Sequence, residues 1–236
     1  MLSVADIKYI RSLSQKKFRD QNNLFIVEGE KMVKEALSSG LDVERVLYTK
    51  DIGEESMSRI SLLSSPSPSL AIIRKRNQEK FTLEKEKLYL ALDSVRDPGN
   101  LGTILRVADW FGIDTIIASD DTVDVYNPKV VQASMGAIFR TNVHYGDLYA
   151  ILMDLKGHIP IYGTFLEAPD IYKESLTKNG IIIMGSESSG ISEKNSNLVD
   201  KRLFIPSFAK SGTGSESLNV AIATAIVCSE FKRSSV

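Results

Sequence analysis

At 236 residues, with 43% hydrophobic and 25% charged residues, the chain suits one large domain or two small ones and can bury a proper core. A formal net charge of −1 singles out no partner and excludes none. Residues 1–90 hold sixteen Lys and Arg against thirteen Asp and Glu, and residues 91–236 thirteen against seventeen. That asymmetry weakly favours an anionic partner for the N-terminal part, and a scatter of solvated charges accounts for it equally well.

The one cysteine, Cys228, lies in an apolar stretch and reads as a small buried hydrophobe; it can form neither an intrachain disulfide nor a zinc cluster. The start, MLSVADIKYIRS, lacks the apolar run of a signal peptide, and no apolar run approaches the ~20 residues of a membrane span. A soluble, cytoplasmic protein of a reducing compartment is the expectation.

In chain order, residues 3–19 predict a helix with Ser3 as N-cap and Asp6 completing a loose capping box. Leu24–Val27 reads as a strand, Glu28–Ser39 as a helix stopped by Gly40, Val43–Tyr48 as a strand, 54–63 as a helix and Leu70–Ile73 as a strand. The Ser/Pro run 64–69 is short enough to be a turn. Basic residues gather at Lys16, Lys17 and Arg19, and again at Arg74, Lys75 and Arg76. A small α/β domain is expected over 1–82, a charged linker over 83–87 and a second domain over 88–236.

Leu88–Leu92 is a strongly apolar strand, followed by the loop DSVRDPGN, a helix over Leu101–Phe111 closed by Gly112, and a strand at Thr115–Ala118. This is a β-loop-α-β unit of a parallel sheet. Asn127-Pro128 opens another helix, Asp147 caps one running to Lys156, and Pro160–Thr164 and Ile181–Met184 are strands. LFI at 203–205 predicts a further strand, and an apolar helix enters at Leu218 with Ser217 or Ser215 as N-cap. The fold class is α/β with a mostly parallel sheet.

Three polar or glycine-bearing loops follow strands: DPGNLGTILR from Asp97, GSESSG from Gly185, and SLN at 217–219. Ligands of open α/β sheets bind at the carboxyl ends of strands, and glycine there lets backbone approach a ligand. A nucleotide-like ligand at this edge follows. G-x-G-x-x-G, G-x-x-x-x-G-K, H-E-x-x-H and G-x-S-x-G are absent, which removes most dehydrogenase, NTPase, zinc-protease and hydrolase readings. His144 and His158 do not suggest a metal site, and none is expected.

The three segments DPGNLGTILRVADWFG, IIIMGSESSGIS and LFIPSF…SESLNVAIATAIV, in this order, resemble the three motifs of the SpoU family of RNA 2′-O-ribose methyltransferases, in the SPOUT superfamily. FIVEGEKMVKEAL is similar to that family's RNA-substrate-binding domain. The resemblance implies a deep trefoil knot over 88–236, an S-adenosylmethionine pocket and a homodimer formed through the knotted domain. By the same carry-over Gly185, Ile205 and Leu218, with Thr164 and Ser186, line the cofactor pocket. Asn100, Arg106, Glu187, Ser217 and Asn219 fall on polar active-site positions. Lys16, Lys17, Arg19, Arg74, Lys75 and Arg76 are candidate RNA contacts.

Plainer roles stand beside each: Asn100 as a helix cap, Arg106 in a surface ion pair, Glu187 at a helix N-terminus, Ser217 and Asn219 as caps. One departure from the family pattern is the loop over 207–216, longer than the usual turn before SLN. The expected activity is methylation of a ribose 2′-hydroxyl in transfer or ribosomal RNA, without a metal or a membrane. Alternatives are a non-catalytic RNA-binding protein of the same fold, or a SPOUT methyltransferase acting on a base.

Overall fold

A computed structural model describes residues 1–77, 81–209 and 216–234. The chain opens with α1 (Val4–Ser12), capped by Ser3 and Asp6 in a reciprocal capping box, and α2 (Lys16–Asn22). The single helix expected over 3–19 is broken because Arg19 folds back and takes the carbonyls of Leu13 and Ser14 at 3.1 and 2.7 Å. Those oxygens are therefore engaged by a side chain where an unbroken helix would use backbone amides.

Next come β1 (Leu24–Glu28), α3 (Glu30–Ser38), β2 (Val43–Tyr48), α4 (Thr49–Ile52), α5 (Glu54–Ile60) and β3 (Ser69–Arg74). β3 is the central strand of an antiparallel sheet ordered β1-β3-β2. Strand side chains alternate between faces. Leu24, Ile26, Leu70 and Ile72 join Ile7, Ile10, Met57 and Ile60 of α1 and α5 in one core cluster. Phe25, Val27, Ala71 and Ile73 face the other way and are equally buried.

The second half runs β4 (Leu88–Leu92), α6 (Pro98–Trp110), β5 (Thr115–Ser119), α7 (Pro128–Ser134), a 3-10 turn at Ala137–Phe139, β6 (Asn142–Gly146), α8 (Leu148–Leu155), β7 (Ile161–Thr164), β8 (Gly180–Met184), α9 (Glu193–Ser196), β9 (Lys201–Leu203) and α10 (Val220–Arg233). Six strands form one sheet ordered β6-β5-β4-β8-β7-β9, with every pairing parallel. Tyr89, Ala91, Ile117, Ile161, Ile181 and Ile183 pack on one face with Leu148, Leu152 and Leu155 of α8. Tyr162 points to the other face and meets Phe231 of α10 edge-on at 4.8 Å between ring centres. Each fully buried aliphatic side chain contributes about 1.5–3 kcal/mol.

The strand expected at 203–205 begins two residues earlier and ends at Leu203: Lys201, Arg202 and Leu203 pair with Tyr162, Gly163 and Thr164. β9 is an edge strand, and charged side chains suit an edge.

Two compact units emerge: Met1–Gln78 with Asp124–Arg140, and Glu79–Val123 with Thr141–Val236. Residues 124–140, which the sequence assigns to the second domain, thus complete the first unit. Tyr126 packs against Phe25 at 4.7 Å, and Asp124 pairs with Arg19 at 2.6 Å. Among the described residues no helix is long and apolar enough to cross a membrane.

Candidate active site

In the second unit the chain winds outward from β4 through β5 to β6, then returns to fill the opposite side with β7, β8 and β9. Such a reversal opens a crevice beyond the carboxyl ends of the strands, here β4 and β8. Their ends are level, with Leu92 opposite Met184, so the loops that follow emerge side by side.

The loop after β4 is fixed first. Ser94 adopts a left-handed backbone, φ 62°. Its N–H donates to Ser119 Oγ at 2.9 Å, and its hydroxyl donates to Asp121 at 3.0 Å. Arg96 donates to the same carboxylate at 2.6 Å. The Arg96 guanidinium, followed by the Ser119 hydroxyl, holds Asp121 down at a pKa of about 2. Asp97 then caps α6, accepting from Asn100 N–H at 2.8 Å, with Pro98 in the first turn. The helix therefore starts three residues before the expected Leu101, and the cap is Asp97, not Asn100.

With the capping role taken, the Asn100 side chain is available to the crevice. Its Nδ2 donates to Glu187 Oε1, and its Oδ1 accepts from Asn219 Nδ2 at 2.8 Å. Asn219 in turn caps α10, its Oδ1 accepting from the N–H groups of Ala221 and Ile222 at 3.0 and 3.3 Å. Asn219 thus replaces Ser217 and Ser215 as the cap; Ser215 lies outside the described residues. One amide chain, Glu187–Asn100–Asn219, joins all three loops.

The loop after β8 closes on itself. Ser186 and Gly190 exchange two backbone hydrogen bonds at 3.0 Å, and the Ser186 and Ser189 hydroxyls meet at 2.9 Å. Gly185 is required by sterics: a Cβ there would lie 2.0 Å from the Gly190 carbonyl carbon. Beneath the loop sits Asp93, 3% exposed. Its Oδ2 accepts from Ser192 N–H, Ser192 Oγ and Asn195 Nδ2 at 2.7–2.8 Å. Sequence reasoning passed over Asp93. The available signal is a carboxylate directly after a fully apolar strand, where burial demands hydrogen-bond partners.

Thr164 ends β7, with Oγ1 3.4 Å from the Ile183 carbonyl, and Ile205 follows β9. Among the described residues the backbone groups of Ile205 and Leu218 make no hydrogen bond to one another or to the rest of the chain. Peptide N–H and C=O groups of this kind, with the Thr164 and Ser186 hydroxyls, suit the edge of a purine and the polar end of an amino-acid-like ligand. These residues fit S-adenosylmethionine by donor and acceptor chemistry. Arg106 is exposed on α6, and Ser217 is exposed before α10; among the described residues neither side chain has a hydrogen-bond or ion-pair partner. Most of the 207–216 loop, residues 210–215, lies outside the described residues. Among the described residues no group of metal-ligating side chains assembles.

The expected RNA contacts belong to the first unit, and one is corrected. Arg19 is 2% exposed and committed to Asp124, Leu13 and Ser14, so it holds the fold and cannot reach a phosphate. Arg74 pairs with Asp42 and Glu44, and Lys75 pairs with Asp20 over the Tyr126 ring. Arg76 donates to the Phe139 carbonyl. Lys16 pairs with Asp20 at 2.5 Å, and Lys17 is exposed.

An all-parallel sheet with polar, glycine-bearing loops converging at its switch point defines an α/β domain for a nucleotide-like cofactor. The sequence model of the SpoU rRNA Methylase family matches residues 87–229, and that of the MRM3-like substrate binding domain matches residues 5–82. The chain belongs to the SpoU methylase family. It is 30% identical over 238 residues to the 23S rRNA (guanosine(2553)-2′-O)-methyltransferase RlmP of Bacillus subtilis, covering 94% of this chain and 93% of that one. A solved structure from Porphyromonas gingivalis, assigned to the TrmH family of RNA methyltransferases, superposes with a TM-score of 0.89 at 38% identity over 99% of both chains. The AdoMet-bound rRNA methyltransferase of Sinorhizobium meliloti gives a TM-score of 0.87 at 28% identity, over 99% of this chain and 97% of that one.

Proposed function

We propose that this protein transfers a methyl group from S-adenosylmethionine to a ribose 2′-hydroxyl of RNA, ribosomal or transfer. The observation that carries the reading is the Glu187–Asn100–Asn219 chain, which joins the three family motifs at the switch point of the sheet. The Bacillus subtilis relative, matched over nearly its whole length, favours ribosomal RNA and ribose chemistry over base methylation.

The cofactor supplies a methyl activated on a sulfonium, whose leaving group is a neutral thioether. The protein must then hold the hydroxyl in line and assist loss of its proton. Asn100 is held at both ends, which fixes how its amide and the Glu187 carboxylate face the crevice. Ser217 offers a hydroxyl for the ribose. Arg106 acts as a cation, its planar guanidinium presenting a fork of N–H donors that matches phosphate oxygens. Arg106 therefore holds a phosphate beside the target ribose and stabilises the developing alkoxide, while the proton passes to water or a phosphate oxygen.

The trefoil knot and the homodimer belong to the same reading. Exposed Trp110 on α6 and Ile222 on α10 support the dimer, being apolar and 85% and 51% accessible in a single chain. A cytoplasmic setting is supported by the single, buried thiol of Cys228. Calorimetry of the full chain tests the cofactor assignment: saturable heat with S-adenosylmethionine is expected, and absence of heat and of any thermal shift would overturn it.

A further inference from the structure

Resting on the RNA reading, we infer that the groove between α3 and the 3-10 turn Ala137–Phe139 is a phosphodiester site that seats the backbone of the substrate RNA. Both walls belong to the first unit. The groove has a volume of about 580 Å³ and is lined by Lys31, Lys34, Glu35, Ser38, Ser39, Phe139 and Arg140. Lys31 and Lys34 are three residues apart on α3 and so share a face. Lys31 is 75% exposed, and Lys34 is exposed with no ion-pair partner among the described residues.

Across from them Arg140 is set in place by Glu35, whose Oε2 accepts from its Nη1 at 3.1 Å. That carboxylate lies so close to Gly136 that a Cβ would come within 2.0 Å of Oε2, and Gly136 has φ +93°. Gly136 thus makes room for the group that positions Arg140. Glu35, the carboxylate among the described lining residues, lies 3.1 Å from Arg140 and 4.0 Å from Lys31.

A wall of ammonium and guanidinium donors, with the Ser38 and Ser39 hydroxyls beside it, calls for a ligand of acceptor oxygens. A phosphodiester backbone is such a ligand; an apolar peptide is not. The contrast with 74–76 strengthens the assignment. The basic triplet is the densest in the sequence, yet the structure pairs it internally, whereas the groove keeps its lysines in solvent.

The test measures binding of protein-free large-subunit ribosomal RNA to the full chain across a salt series. Lys31→Ala/Lys34→Ala should weaken binding about tenfold and flatten the slope of log K against log salt by roughly 1.5, the counterion release of two phosphate contacts. Lys31→Arg/Lys34→Arg should restore both, and Lys8→Ala/Lys50→Ala, at exposed lysines of the same unit outside the groove, should leave both unchanged. Wild-type affinity and slope in Lys31→Ala/Lys34→Ala, or an equal loss in the Lys8/Lys50 variant, would overturn the site while leaving RNA as the partner. Wild-type protein that binds no RNA at any salt would overturn both.

Discussion

Arg106 separates the chemistry from the scaffold more cleanly than any other side chain, because it is exposed and has no partner among the described residues. Arg106→Ala is expected to lower kcat by about 10²–10³ with cofactor affinity near wild type, the cost of removing one donor that stabilises developing charge. Arg106→Lys should keep part of the activity, since charge remains while the planar fork is lost. Its pH–rate profile distinguishes the roles: a steep recovery near the lysine pKa would show that the residue works as a base. Asp121 gives a pH prediction of a different kind. Its carboxyl is lowered from 3.8 to about 2 by Arg96 and the neighbouring hydroxyls. A depressed folded pKa contributes stability that is present above the unfolded value and is lost as pH falls through the folded one. Tm should therefore fall between pH 4 and 2, and Asp121→Asn should flatten that fall; the effect is small because the pair is largely exposed. Identical acid profiles would detach Asp121 from the stability of the 93–97 loop.

Among the elements, buried apolar strands were the most legible. Leu88–Leu92 and Gly180–Met184 are buried on both faces, as a parallel sheet demands, and such runs announce themselves. β6, NVHYG, is half-buried and mixed in character, so neither alternation nor an apolar run marks it. The break between α1 and α2 was invisible for another reason: it depends on Arg19 finding Asp124, 105 residues away. Of the site, the loops and Asn100, Glu187 and Asn219 could be named from the motifs. Their mutual hydrogen bonds could not, because one amide serving two loops is a tertiary fact, and the same holds for Asp93 with Ser192 and Asn195. The Arg19–Asp124 pair carries its own prediction. Removing one partner leaves a buried charge, so Asp124→Ala should cost roughly 3–5 kcal/mol, read from the urea midpoint. Arg19→Met/Asp124→Leu should recover most of that loss. A surface-like cost below about 1 kcal/mol for the single change would contradict the burial argument.

For the whole molecule, the units do not follow the sequence boundary at 83–87. Phe25, Arg19 and Glu35 meet Tyr126, Asp124 and Arg140, residues that arrive only after β5. A fragment of residues 1–82 should accordingly lack a cooperative urea transition, and a peptide of residues 124–140 added in trans should increase its order by circular dichroism. A sharp, peptide-independent transition would show that the first unit closes without this segment. The larger claim concerns where the methyl group goes. The measurement that decides it is transfer of labelled methyl from S-adenosylmethionine to protein-free ribosomal RNA, followed by digestion and nucleoside analysis. Label in a 2′-O-methylnucleoside, strongly reduced in Asn100→Ala and Arg106→Ala, is the predicted result; label in a methylated base, or no transfer to ribosomal or transfer RNA, would contradict it.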